Sequence, residues 1–184
     1  QIEVLDRQKK VVNQSLRDFL HMRGRYTTEP KLVECPDIYL LTQKIEENTP
    51  RGYVIALSKL FELFHGVVTT YDFSPSMYNR LLVTREDLLA GNYQTASYVC
   101  IRSTQYIDHP ACRTIPAGPF VVCFHTGPVG SIGQTYERIM GFIQQENMEI
   151  AGDALKSDYI NYLLEKNPNS FSRELLIPVR KRKS

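Results

Sequence analysis

The chain has 184 residues, 42% hydrophobic and 23% charged, with a net charge of +2. That composition is enough for one sizeable core plus an appendage and gives no dominant basic surface for nucleic acid. No apolar run approaches the roughly 18 residues that a membrane-spanning helix needs, and the first residues are amphipathic and unlike a signal peptide. Cys35, Cys100, Cys112 and Cys123 form no C-x-x-C pair and fall singly in apolar or loop contexts. The pattern favours reduced thiols in a cytoplasm over a zinc site or a disulfide framework, and no metal or cofactor is expected.

Residues 1–24 read as a helix without an N-cap. Ile2, Leu5, Lys9, Val12, Leu16 and Phe19 follow the a/d spacing of a short coiled coil with one lysine interruption, and Gly24 is a stop signal. A terminal helix packed on its own domain would show the same spacing. Residues 25–37, with Pro30 and Pro36, read as an extended approach and a turn. IYLLTQKI is a strand, with Tyr39 opposite Ile38 and Leu40. Asn48 or Thr49 can cap a helix with Pro50 in its first turn, a buried stripe of Val54, Leu57, Leu60, Phe61 and Phe64, and an end at Gly66. VVTTYDF and TASYVCIR read as strands, separated by a long uneven stretch in which REDLLAGN forms one helical turn ending at Gly91.

The second half is clearer. FVVCFH is a strand stopped by TGPVG. Ser131 and Gln134 have capping-box spacing, and the helix they open carries Ile132, Tyr136, Ile139, Met140 and Ile143 on one face. A strand follows near KSDYINYL, and then the closing strand ELLIPV. Alternation along that last strand puts Glu174 and Leu176 on one side and Leu175 and Ile177 on the other. A carboxylate on an otherwise apolar face is either an edge residue in water or a buried functional group. Each half thus reads as β-α-β-β, and the expected fold is α+β with antiparallel sheet.

His125, Gly127, Pro128, Tyr136, Glu174, Ile177, Pro178 and Val179 carry a family pattern. It is a strand ending in H-x-G-P, an amphipathic helix with a tyrosine, and a last strand with Glu before I-P-V. Over residues 110–179 the chain resembles the GyrI-like effector-binding domain, the C-terminal ligand sensor of MerR-type multidrug-responsive transcription regulators. The resemblance implies two pseudo-symmetric β-α-β-β units with a ligand cleft between them and Glu174 as its acidic floor. It also implies a binding domain over residues 25–184 and a helix over 1–24 that pairs two subunits through Ile2, Leu5, Val12, Leu16 and Phe19. DNA would be bound only through a further N-terminal domain, and no membrane partner is implied. The ligand expected is small and hydrophobic or aromatic, with its charge open. Candidate contacts are Glu174, Tyr159, Tyr39, Tyr71, Tyr98, Phe120 and Leu176, since rings attract organic cations by about 0.5 to 2 kcal/mol each. One departure is Lys156 after Gly152, where many members carry a second acidic residue; facing the cleft, it would weaken a preference for cations.

Enzyme motifs are absent: there is no G-x-S-x-G, Walker loop, H-E-x-x-H or dinucleotide fingerprint. Cys123 and His125 share a strand face, which allows a nucleophilic pair or simply a buried thiol beside a strand-ending histidine. No catalytic residue is assigned. The alternative reading is a stand-alone GyrI-like hydrolase with Glu174 as general base. The basic tail RKRKS reads as a solvated terminus.

Overall fold

The computed structural model describes residues 9, 12–13, 16–17, 20, 23–24, 26–70, 79–160 and 165–182. In chain order these form β1 (Lys31–Cys35), β2 (Ile38–Lys44), α1 (Pro50–Thr70), β3 (Asn79–Val83), α2 (Arg85–Leu89), β4 (Tyr98–Ser103), β5 (Cys112–Ile115) and β6 (Gly118–Thr126). Then come α3 (Ile132–Gln145), β7 (Met148–Ile150), β8 (Ala154–Ile160) and β9 (Ser172–Lys181). The strands pair antiparallel in the order β1-β6-β9-β8-β3-β4-β2-β5, and β7 adds to β9. In each half the strand before the long helix pairs with the last strand, which pairs with the middle one; the middle strands β3 and β8 join the halves. The fold is α+β, as expected.

Two short connections give the sheet its shape. β1 and β5 end the strand order, yet β1 runs into β2 through Pro36 and Asp37 alone, and β5 into β6 through Pro116 and Ala117 alone. With about 3.8 Å between successive Cα atoms, each connection spans at most ~11 Å, so the far edges are drawn together and the sheet curls into a trough. The connections are tied to each other, since the Ala117 amide donates to Asp37 Oδ1 at 2.7 Å.

The period-two alternation of the strands then separates two cores. Inside the curl, Ile38, Leu40, Leu82, Phe120, Val122 and Leu176 pack with Cys35, Cys100, Ile115, Phe124, Leu155 and Tyr159. On the outer side α3 covers Val121, Cys123, Leu175, Ile177 and Val179 through Ile132, Tyr136, Ile139 and Ile143. There α1 covers Leu41 and Val99 through Ala56, Leu60 and Val67.

Several local expectations are corrected. Gly66 does not end α1, and Val67–Thr70 are helical and not part of a strand. The helix's buried stripe is Ala56, Leu60 and Val67, leaving Val54 and Phe61 59% and 50% exposed. At Gly52 an added Cβ would sit 2.0 Å from the Glu47 carbonyl oxygen, so the loop that enters the helix can pack this closely only on a glycine. Thr49 does cap, accepting from the Gly52 amide at 3.0 Å. Ser131 does not: it closes a 3-10 turn, Val129–Ser131, and its hydroxyl donates to the Pro128 carbonyl at 2.8 Å. Among the described residues no helix is long and apolar enough to cross a membrane.

The described positions near the N-terminus have helical backbone, with Val12 and Leu16 61% and 53% exposed. Ile2, Leu5 and Phe19 lie outside the described residues.

Tyr136 is fully buried, its ring stacked 4.7 Å from that of Tyr93, and among the described residues its hydroxyl has no hydrogen-bond partner. An unpaired buried hydroxyl costs about 1 to 3 kcal/mol. Tyr136→Phe is therefore expected to raise the unfolding free energy by about 1 kcal/mol in urea titration; a loss of stability would mean that the hydroxyl has a partner in solution.

Candidate functional site: a buried carboxylate inside the curled sheet

The closing strand points Leu175, Ile177 and Val179 at α3 and sends Glu174 and Leu176 inward, as its alternation requires. The registers place Phe124, Glu174, Ser157, Arg80 and Cys100 side by side in one row across five strands. Glu174, Ser157 and Arg80 are 3%, 2% and 2% exposed, so the row holds a buried carboxylate and a buried guanidinium on either side of one small residue. With strands about 4.8 Å apart, their backbones stand roughly 10 Å from each other.

A carboxylate removed from water needs hydrogen bonds or countercharge. Tyr159 provides the first, donating its hydroxyl to Glu174 Oε2 at 3.2 Å. The Tyr159 ring lies 6.1 Å from that of Phe124, which in turn lies 4.8 Å from Tyr26. The chemistry gathered here is one acid, one base and a wall of aromatic and aliphatic carbon. It can bind an apolar molecule and hold a proton or a charge at one point.

Five of the expected contacts lie on this inner face, among them Glu174 and Tyr159 in direct contact, Leu176 two residues along β9, and Phe120 further along the same core. Tyr98 is also inward but holds an arginine, accepting from Arg113 Nη2 at 2.5 Å under a guanidinium 4.0 Å from its ring centroid. Tyr39 does not join them. It shares the parity of Leu41, on the α1 side, and meets Tyr106 edge-on at 6.1 Å and Asp37 at 3.4 Å. Tyr71 lies outside the described residues.

Lys156 pairs with Leu175 and Leu81, which puts it on the outer side, so it does not oppose a cation in the trough. Burial pushes its pKa down to about 8, against the pull of Asp158. Asp158 also receives Arg173 Nε at 2.9 Å. Arg80 was missed in the sequence because β3 itself was missed: NRLLV sends apolar side chains to both faces and shows no alternation.

Cys123 and His125 share the outer face but make no nucleophile. The Cys123 thiol donates to the Thr28 carbonyl at 3.2 Å, and burial pushes its pKa up to about 11. His125 Nε2 lies 3.1 Å from the Pro128 carbonyl and 3.3 Å from Ser131 Oγ, and Nδ1 lies 2.9 Å from Thr135 Oγ1. A carbonyl can only accept, so Nε2 carries the proton and is no base for Ser131. Burial also lowers the pKa of the imidazole. The H-x-G-P segment is thus a staple between β6 and α3, with Gly127 at φ 127° where a side chain would be strained. Among the described residues no group of His, Cys, Asp and Glu could hold a metal ion.

No family model matches the sequence, and no curated protein matches it. Solved structures do resemble the fold. The EcmrR C-terminal domain superposes with a TM-score of 0.62 at 16% identity, covering 84% of this chain and 98% of that one. EcmrR in its DNA complex within EcmrR-RPo gives 0.63 at 14%, covering 99% and 68%. A protein described as a hydrolase from Listeria innocua gives 0.64 at 12%, covering 89% and 98%. The chain thus shares its α+β, mostly antiparallel fold with the EcmrR C-terminal domain.

Proposed function

We propose that the chain is the ligand-sensing part of a bacterial transcription regulator, binding a small hydrophobic or aromatic molecule inside the curled sheet. The observation that carries this is Glu174, nine-tenths and more buried on an apolar inner face and held by Tyr159. A carboxylate kept there costs stability, which makes sense where a ligand uses it. The likeness to a domain that works within a DNA complex supports a regulatory setting. Residues 25–184 would be the binding domain, built from two β-α-β-β units about a pseudo-two-fold between β3 and β8. The repeated strand order of the halves supports that symmetry.

A cation is the charge class Glu174 favours, and Arg80 in the same row tempers that preference. The direct test is a thermal-shift screen of lipophilic cations beside neutral aromatics. A ligand bound only by the folded state adds about 2.7 kcal/mol at a hundredfold excess over its dissociation constant. No stabilisation by any member of either class would count against the reading. The Glu174–Tyr159 pair also supplies part of what a hydrolase would need, a carboxylate positioned by a hydrogen bond. Slow consumption of the bound compound by the wild type, absent in Glu174→Gln, would favour that alternative.

The helix over 1–24 would pair two copies antiparallel, with DNA bound only through a further domain. Val12 and Leu16, helical and exposed, fit such a seam. With so few apolar positions the pairing should be weak, and sedimentation should show concentration-dependent dimers. Association unchanged by deletion of residues 1–22 would assign the interface elsewhere.

A further inference from the structure

The inner face has a second end. From Glu174 to Pro178 is four steps along β9, about 13 Å, and there a cavity of about 580 Å³ opens between the β5–β6 connection and the loop before β8. Its volume is within the range of small-molecule sites, roughly 300 to 1,000 Å³. Leu82, Ile115, Phe120, Pro119, Pro178 and Val179 give it an apolar wall.

Arg113 lines this cavity and is held in place before any ligand arrives. Its guanidinium stacks 4.0 Å from the Tyr98 ring centroid and donates to the Tyr98 hydroxyl at 2.5 Å. Nη1 lies 3.6 Å from Asp153 Oδ2, while Asp153 Oδ1 is occupied by the Arg85 amide at 2.9 Å. The Asp153 contact is too long for a direct hydrogen bond, so it orients the guanidinium without saturating it. A guanidinium has five N–H donors; Nη2 gives one to Tyr98 and Nη1 faces Asp153, which also lines the cavity, so further donors of an ordered, planar group remain beside an apolar wall. The other arginine at the rim, Arg180, already donates Nε to Glu149 at 2.6 Å.

We propose that this cavity is a binding site for an amphipathic organic anion, with its apolar body on Leu82, Ile115, Phe120 and Pro178 and its carboxylate on Arg113. The site does not depend on what the Glu174 end binds. Because the guanidinium is already ordered, little affinity is lost in fixing it.

Fluorescence titration with pyrenebutyrate and with the uncharged pyrenebutanol tests the assignment. The wild type should bind the carboxylate at least about tenfold more tightly than the alcohol. Arg113→Gln should erase the difference, and Arg113→Lys, which keeps the charge but not the fork, should retain part of it. In Glu174→Gln the Arg113-dependent difference between the two probes should persist, which separates this site from the reading above. Equal binding of the two probes by the wild type, binding of neither, or undiminished preference for the carboxylate in a folded Arg113→Gln protein would overturn the proposal.

Discussion

Glu174→Gln is expected to weaken the binding of a lipophilic cation at least roughly tenfold and to leave a neutral ligand of the same shape almost unaffected. Glutamine keeps the volume, and its carbonyl oxygen can still accept from Tyr159, which now sits 3.2 Å from Oε2. What the substitution removes is the charge. Loss of one partner from a buried, hydrogen-bonded charge pair typically costs about 2 to 5 kcal/mol, and Glu174 is only 3% exposed, so solvent screens it little. Calorimetric titration of both ligands against both proteins measures the effect. Equal affinity of the two proteins for the cation would mean that the trough selects on shape alone, with Arg80 neutralising the carboxylate.

The second large effect concerns stability and lies on the other side of the sheet. Lys156 is 5% exposed, and burial lowers its pKa from 10.5 to about 8, with Asp158 opposing and Arg173 adding to the shift. Between those values the unfolded chain binds a proton that the folded one does not, so this lysine's contribution to stability rises with pH through that window. At about 1.4 kcal/mol per pKa unit the whole change is on the order of 3 kcal/mol. Two thiols act in the opposite sense: burial raises Cys100 to about 12 and Cys123 to about 11, so their contribution falls above pH 9. The difference between wild type and Lys156→Met cancels the thiols and isolates the lysine. Lys156→Met is expected to be more stable by about 1 to 3 kcal/mol at pH 7, with the gap closing by pH 10.5, as read by urea unfolding at several pH values. A pH-independent gap would mean that Lys156 stays charged in the folded protein.

Much of this site was legible because it rests on alternation. The parity of β9 alone put Glu174 and Leu176 on one face and Leu175 and Ile177 on the other, and the α3 stripe at Ile132, Tyr136, Ile139 and Ile143 followed from helical spacing. Tyr159 is among the candidate contacts in the sequence, but its hydrogen bond to Glu174 depends on the pairing of β8 with β9. Tyr39 does lie opposite Ile38 and Leu40, but parity gives two faces without saying which one the helix covers. The four shortest strands were hidden for a different reason. β1, β3, β5 and β7 have five residues or fewer, and their edges are fixed by tertiary pairing and not by local pattern. With β3 unrecognised, Arg80 had no place in any row. Nor could the curl be foreseen: it follows from two two-residue connections whose meaning depends on the full strand order.

Entry of a small molecule to the inner face of the sheet has a local readout. Leu175 and Leu176 are adjacent on one strand and point to opposite sides, which makes their methyl groups a built-in comparison. Methyl NMR of the protein titrated with the tightest compound of the thermal-shift screen would read both at once. The expected result is a large shift of the Leu176 and Leu155 methyls, with those of Leu175 and Ile139 nearly still. Shifts confined to Leu175 and Ile139, or saturable binding that leaves Leu176 unmoved, would place the ligand outside the trough.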